Sequence, residues 1–97
     1  MMTIESGPAG VVTVQGRLDA AQSPAAQAFL DGITGSVTLD CTALEYISSA
    51  GLGVLLKTQK RLRGCGGSVK LQGVSPHVHD IFRYAGFDQI FDIAPAP

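Results

Sequence analysis

The stretch LEYISSAGLGVLLK at residues 44–57 places a pair of serines at a strand-to-helix junction. After the serines, leucines recur on one side of a 3.6-residue repeat. These leucines are Leu52, Leu55, Leu56 and Leu62. Because serine is a favoured N-cap, we expect Ser48 or Ser49 to begin an amphipathic helix that ends at Gly64 and the glycines after it.

Strand-like and helix-like segments alternate on either side of this helix. Residues 37–41 and 68–72 alternate apolar and polar side chains, which is typical of strands with one buried face. Ser-Pro pairs open two further predicted helices, over residues 23–35 and 75–86, with the serine of each pair as the N-cap. Proline fits the first helical position because its missing N–H would be unpaired there.

The two ends of the chain complete the predicted order of elements. Residues 3–15 predict a β-hairpin whose turn lies at the glycines and proline of residues 7–10. Residues 87–93 complete the core, with or without a short last strand. The order β-β-α-β-α-β-α-(β) predicts a single α/β domain over residues 1–97, with a mixed sheet and helices mainly on one face.

The composition excludes several classes of protein. The 97 residues suit one domain, and the formal net charge of −1 argues against a protein held to nucleic acid mainly by phosphate contacts. No apolar run approaches the ~20 residues that cross a bilayer, and the first residues lack the features of a signal peptide. We therefore expect a cytoplasmic protein without membrane insertion or direct nucleic-acid binding.

Cofactor and enzyme motifs are absent from the sequence. It contains no phosphate-binding loop, no dinucleotide-binding glycine pattern and no serine-hydrolase elbow. His77 and His79 are the only histidines, and no cysteine pair lies near them to complete a zinc site. Cys41 and Cys65 are expected to be one core thiol and one loop thiol, both reduced. We predict no metal, no cofactor and no enzymatic activity.

The serine junction is the segment that suggests a binding function. Ala50, Gly51 and Gly53 are small, so another protein can approach the backbone closely there. A helix N-terminus favours negative charge, and a phosphate on Ser48 or Ser49 would be tolerated locally. Taken by themselves, the two serines are explained more simply by plain helix capping.

Residues 47–52, Ile-Ser-Ser-Ala-Gly-Leu, resemble the signature of the STAS superfamily, in particular of the bacterial anti-sigma factor antagonists. The similarity extends over nearly the whole chain. Residues 16–19 resemble the family's Gly-Glu-Leu/Ile-Asp motif, and residues 82–87 resemble its Phe-x-x-x-Gly-Phe/Leu pattern. The resemblance implies a STAS-like fold.

The resemblance also implies roles for individual residues. Ser49 falls on the family's phosphorylated serine, and Asp19 falls on the acidic residue near that site. Ser48 replaces the aspartate often found before the phosphoserine, and Arg17 replaces a frequent glutamate. Both replacements remove negative charge near the site, whereas phosphorylation itself requires only the Ser49 hydroxyl.

Partner switching is the mechanism that the resemblance implies. The unmodified protein would bind an anti-sigma factor that is also a serine kinase with an ATP-binding fold, and the sigma factor would be free. Phosphorylation of Ser49 by that kinase would end binding, and a separate serine phosphatase would restore it. The alternatives within the family are a subunit of a lipid-transporting ABC complex and a partner in a secretion-control switch.

The exposed side of the second helix is the predicted docking surface. If the four leucines define its buried side, Val54 projects roughly opposite to them, beside Gly51 and Lys57. The predicted partner-binding residues are Asp19, Ser48, Ser49, Ala50, Gly51, Gly53 and Val54.

Overall fold

A computed structural model describes residues 1–95, so the last two residues of the predicted 1–97 domain lie outside the described part of the chain. Within it, the strands are β1 (Met2–Ser6), β2 (Val11–Leu18), β3 (Val37–Asp40), β4 (Leu44–Ile47), β5 (Val69–Val74) and β6 (Asp92–Pro95). The helices are α1 (Ser23–Asp31), α2 (Ser49–Arg63) and α3 (Pro76–Tyr84). Short 3₁₀ turns occupy Pro8–Gly10 and Phe87–Gln89.

The strands form a mixed sheet with the order β1-β2-β3-β5-β6. β1 pairs antiparallel with β2, as predicted for the N-terminal hairpin, and the other described pairings are parallel. β4 lies off this path, beside the C-terminal end of β2. The predicted mixed sheet is confirmed, and the last strand that the sequence left open is present as β6.

β4 is a strand that the sequence analysis did not predict. It follows β3 along the same side of β2, and a turn at residues 41–43 separates the two strands. The Asp40 carboxylate accepts hydrogen bonds from the Thr42 hydroxyl, at 2.6 Å, and from the Thr42 N–H, at 3.0 Å. These two bonds lower the pKa of Asp40. Periodicity missed β4 because its buried residues, Leu44 and Ile47, do not alternate.

One face of the sheet is apolar and buried, and the other is polar. Val12, Leu39 and Leu71 are register partners across β2, β3 and β5, and each is at most 3% exposed. Asp40 and Gln72 lie one position further along and point to the opposite face, because side chains alternate along a strand. The helices add Leu30, Leu55 and Phe82 to the same core. Packing of the helices on one face of the sheet is therefore confirmed.

The ends of α2 and α3 follow the predicted capping residues, but both ends of α1 need correction. Ser75 caps α3, since its hydroxyl oxygen accepts a hydrogen bond from the Val78 N–H at 3.3 Å. Gly86 follows the helix with a left-handed φ of 78°, which is typical of a terminating glycine. Ser23 was predicted as the cap of α1 but is its first helical residue, and its hydroxyl donates to the Asp19 carbonyl. α1 ends at Asp31, where the Gly32 N–H closes the last turn, and not at the predicted Gly35.

Candidate functional site

The carboxyl ends of β2 and β4 meet at one edge of the sheet. Leu18 and Ile47 are register partners at the ends of these parallel strands, so Asp19 and Ser48 follow them side by side. The Ser48 N–H donates a hydrogen bond to the Leu18 carbonyl at 2.9 Å. Ligand sites in α/β proteins commonly form where parallel strands end, so the fold brings two predicted site residues together at a favourable position.

Ser48 is the N-cap of α2. Its backbone is extended, with φ of −88° and ψ of 172°, and its hydroxyl oxygen accepts a hydrogen bond from the Gly51 N–H at 3.3 Å. The Leu52 N–H donates to the Ser48 carbonyl at 2.9 Å, which closes the first turn. Of the two serines that the sequence left as alternatives, Ser48 therefore supplies the cap.

Ser49 is the first residue of α2, and it is exposed. Among residues 1–95, Ser48 makes a side-chain hydrogen bond at this helix start and Ser49 makes none. Ser49 belongs to the first turn of α2, and the N–H groups of a first turn have no partner inside the helix. The positive end of a helix stabilises negative charge, so a phosphate on the Ser49 hydroxyl would be stabilised where it forms.

Gly51 packs against the sheet and is buried, so its predicted place on the exposed side of α2 is wrong. A Cβ atom at this position would lie 2.7 Å from the Leu18 carbonyl oxygen and 2.8 Å from Ile47 Cγ1. These distances are too short for a side chain, so glycine lets α2 start this close to the strand ends. Gly51 therefore positions Ser48 and Ser49 and offers no surface of its own.

Asp19 is half-buried and closes the turn between β2 and α1. Its carboxylate accepts a hydrogen bond from the Gln22 N–H at 3.1 Å. Its carbonyl accepts a second bond from the Ser23 hydroxyl at 2.8 Å. Asp19 therefore fixes the entry into α1 and holds that entry next to the start of α2.

Arg17, which stands where the family often has a glutamate, is held near the same strand ends. Its guanidinium carbon lies 4.4 Å from the centroid of the Tyr46 ring. The two residues are register partners on β2 and β4, and this geometry is that of a cation–π contact. At this edge Arg17 contributes a positive charge, and Asp19, the residue that directly follows β2, contributes a carboxylate.

Val54 is buried, with 6% of its surface exposed, so the prediction that it projects into solvent is wrong. α1 packs against α2 and covers the side on which Val54 lies. The buried side of α2 consists of Gly51, Val54, Leu55, Thr58, Gln59 and Leu62. Leu52 and Leu56, which were expected inside, are only half-buried. The helix is thus rotated from the orientation that the leucines predict.

Two buried polar residues explain why the leucine pattern misled the prediction. The Thr58 hydroxyl donates to the Val54 carbonyl at 2.9 Å. The Gln59 side chain donates to the Ile90 carbonyl at 2.9 Å and accepts from the Val69 N–H at 2.6 Å. Because these polar atoms are paired inside the fold, the two side chains occupy positions that an apolar periodicity assigns to solvent.

A shallow groove, here called the α1–α2 groove, runs between the two helices beside Ser49. Its lining includes Ala20, Pro24, Ala50, Gly53, Val54 and Lys57. Ala50 and Lys57 are exposed, Gly53 is half-exposed, and the buried Val54 forms an apolar floor. The accessible side of α2 therefore carries Ser49, Ala50, Gly53 and Lys57.

Among residues 1–95, the His, Cys, Asp and Glu side chains form no cluster of three or more that is suited to hold a metal ion. Cys41 is buried, and this burial raises the pKa of its thiol to about 12. Cys65 is exposed, so the predicted division into a core thiol and a loop thiol is confirmed. In the described part of the chain, no helix is both long enough and apolar enough to cross a bilayer.

Comparison with known proteins gives a family match over almost the whole chain. The family model described as Mlab, STAS domain matches residues 1–93. A Bordetella bronchiseptica protein, described as the candidate anti-sigma factor antagonist BtrV, is 47% identical over 58 residues. That alignment covers 60% of this chain and 50% of the relative, so the similarity extends over about half the length of the relative.

Solved structures share the fold. An anti-sigma factor antagonist from Mycobacterium paratuberculosis matches 98% of this chain and 85% of its own, with a TM-score of 0.81 and 24% identity. The Bacillus cell fate determinant SpoIIAA, solved in a phosphorylated form, matches 97% of this chain and 91% of its own, with a TM-score of 0.69 and 20% identity. At these identities the likeness concerns the fold alone. With the family model matched along the chain and its fold shared, the protein belongs to the STAS domain family.

Proposed function

We propose that this protein is an anti-sigma factor antagonist that works by partner switching. In its unphosphorylated form it binds an anti-sigma factor that is also a serine kinase with an ATP-binding fold, and the sigma factor is released. The description of the Bordetella relative supports the role of anti-sigma factor antagonist. Because that relative is matched over half of its length, the proposal depends on the geometry of the site as well as on the similarity.

The observation that carries the proposal is the free Ser49 hydroxyl at the first position of α2. Ser48 already caps the helix through its hydrogen bond with the Gly51 N–H. The exposed Ser49 hydroxyl therefore has no capping role to perform, and we assign phosphorylation to it. A protein of the same fold, SpoIIAA, has been solved in a phosphorylated form, which is consistent with this assignment.

Electrostatics explain how this modification releases the partner without unfolding the protein. A phosphate adds about −1.5 to −2 charges at pH 7, and the chain carries a formal net charge of −1. In the free protein, the helix N-terminus stabilises that charge. In a docked complex, the same dianion must be desolvated and repels any carboxylate of the partner. Binding is lost while the fold is kept.

The surface that binds the kinase surrounds this hydroxyl. Direct contacts are assigned to Asp19, Ser48, Ser49, Ala50 and Gly53, all of which are at least partly exposed. Gly51 acts through the packing of α2, and Val54 acts as the floor of the α1–α2 groove.

The proposed role is that of a substrate and binding module, without enzymatic activity, metal or cofactor. The protein is a single domain over residues 1–97 and acts in the cytoplasm. A serine phosphatase removes the phosphate.

Affinity capture with three forms of the protein tests this function. The baits are the wild type, Ser49→Ala and Ser49→Asp, and mass spectrometry identifies the captured proteins and maps phosphate on the wild type. We expect Ser49→Ala to retain an anti-sigma factor with a kinase domain and Ser49→Asp to lose it. Recovery of an ABC permease by all three baits, with Ser49 unmodified, would favour the lipid-transport alternative and contradict the switch.

A further inference from the structure

Gly53 lies in the interior of α2, and no contact or backbone angle within residues 1–95 requires a glycine there. A Cβ atom at this position would meet nothing within 4 Å, and the residue does not have a positive φ. Glycine destabilises the interior of a helix relative to alanine, so its presence here calls for an explanation. Gly51, two residues earlier, is explained by its contact with the strand ends. The space above Gly53 instead faces outward.

That space belongs to the shallow α1–α2 groove, whose lining is mostly apolar. Ala20 and Pro24 line it from the side of α1, and Ala50 and Gly53 line it from the side of α2. Gln27 and Lys57 also line the groove. The small residues Ala20, Ala50 and Gly53 leave room for a partner to bring its backbone or an apolar side chain close to the floor. The groove reaches the first turn of α2, because Ala50, the residue after Ser49, lines it.

Positive charge lies at the far end of the groove. Lys57 lines that end and is exposed, and Lys60 and Arg63 are also exposed. α2 contains no acidic residue, and the one ion pair within residues 1–95 joins Arg83 to Asp80. The cations of α2 therefore have no carboxylate partner in the described chain. A complementary surface would present carboxylates to this end.

We propose that the α1–α2 groove receives an acidic amphipathic helix of the anti-sigma factor. One apolar side chain of that helix sits over Gly53 and Val54, and a carboxylate one turn further on pairs with Lys57. Gly53 and Lys57 are four residues apart, a rise of about 6 Å, which an i, i+4 pair on an adjacent helix matches. This inference rests on the proposed function, since it names the chemistry of the same partner.

The groove and the switch serine then have different tasks. Contacts in the groove supply affinity and choice of partner, because shape and charge there are fixed whether or not Ser49 is modified. The phosphate acts at the end of the groove, where it obstructs the approach of the same helix. The two effects are therefore separable by mutation.

Calorimetric titration of the purified anti-sigma kinase against full-length variants tests the groove. Gly53→Ala should raise the Tm of the free protein by about 4 °C, because alanine favours the helix and meets no obstacle. Gly53→Leu should fold and bind roughly thirtyfold more weakly, because its side chain fills the groove. Lys57→Glu should weaken binding about tenfold. Lys70→Glu, an exposed charge reversal on the sheet, is the matched control and should bind like wild type.

The outcomes distinguish the groove from the switch. If Gly53→Leu and Lys57→Glu bind like wild type while Ser49→Asp loses binding, the groove assignment is wrong and the proposed function stands. If the wild type binds no anti-sigma kinase, both are wrong. Should Gly53→Leu fail to fold, Ala20→Arg on the opposite wall replaces it, with the same loss expected. A wild-type dimer that Ala20→Arg and Lys57→Glu abolish would assign the groove to a second copy and overturn the proposal.

Discussion

The starts of α2 and α3 share a serine cap and differ in the residues that follow it. Each helix follows a parallel strand, and a serine caps each, with the cap oxygen accepting from the N–H three residues later at 3.3 Å. The next residue is Ser49 in α2 and Pro76 in α3. Ser75 and Ser48 thus perform the same structural task. Only at α2 does a second, exposed serine follow the cap.

The position three residues after each cap shows a second difference. In α2 it is Gly51, which has no room for a Cβ atom, whereas in α3 it is Val78, whose side chain is fully buried. α3 is held by an apolar anchor, and α2 is held by close backbone contact with the strand ends. The comparison teaches that a serine cap alone does not identify a switch. The free hydroxyl after the cap, on a helix pressed against the sheet edge, is what distinguishes α2.

The largest effect that separates the two helix starts should be on partner binding. Ser49→Asp should weaken the affinity for the anti-sigma kinase more than about a hundredfold, equivalent to ~3 kcal/mol. Pro76→Asp introduces the same charge at the equivalent position of α3 and should leave the affinity unchanged. Titration calorimetry measures both. Equal affinities for the two variants would remove the distinction between the helices.

The second largest effect should be a loss of stability when Gly51 is replaced. Gly51→Ala forces a side chain into contacts shorter than 3 Å, and we expect a loss of ~2 kcal/mol in the free energy of unfolding. Gly53→Ala is the control in the same helix and should gain ~0.5–1 kcal/mol. Urea denaturation gives both values. A stable Gly51→Ala variant would show that α2 does not need its close approach to the strand ends.

The two caps should be equivalent in stability and unequal in function. Ser48→Ala and Ser75→Ala each remove one cap bond, so each should cost ~1 kcal/mol in the free energy of unfolding. Ser48→Ala should also slow phosphorylation of Ser49, because the cap holds the first turn in place. Ser75→Ala should leave the rate of phosphorylation unchanged. A similar slowing in both variants would point to a general loss of stability instead.

The smallest effect is expected for Ser48→Asp, which restores the aspartate often found at this position in the family. Aspartate and serine are comparable N-caps, so Ser48→Asp should change the free energy of unfolding by less than ~0.5 kcal/mol. The variant should remain a substrate, because the Ser49 hydroxyl is untouched. Thermal melts and a phosphorylation time course check the two points. Loss of phosphorylation in a folded Ser48→Asp protein would show that the kinase depends on the Ser48 side chain.

The capping of α2 and α3 was predictable from the sequence, because it depends on residues close together in the chain, whereas Ser23 was wrongly predicted as the cap of α1. Ser75 and Gly86 take the expected places at the two ends of α3, and the N-terminal hairpin forms as predicted. β6 is the last strand that the sequence had left open. The start of α2 at Ser48 and Ser49 also follows from local pattern, whereas β4, the strand that leads into it, does not.

Features that depend on tertiary contacts were not predictable. Val54 is buried because α1 packs over it, and no periodicity within α2 reveals that neighbour. Thr58 and Gln59 appear polar in the sequence, but their hydrogen bonds in the core make them interior residues. Gly51 appeared to be an exposed small residue, and its contact with β2 is visible only in the fold.

The most direct test of the central claim is to phosphorylate the wild-type protein with its kinase and ATP, map the phosphate, and titrate the purified product against the kinase. We predict phosphate on Ser49 and none on Ser48 or Ser75, with affinity lowered more than about a hundredfold. The Tm should stay within about 2 °C of the unmodified protein, because the helix N-terminus stabilises the charge. Phosphate on Ser48 with Ser49 bare, or a phosphorylated Ser49 form that binds like the unmodified protein, would contradict the account.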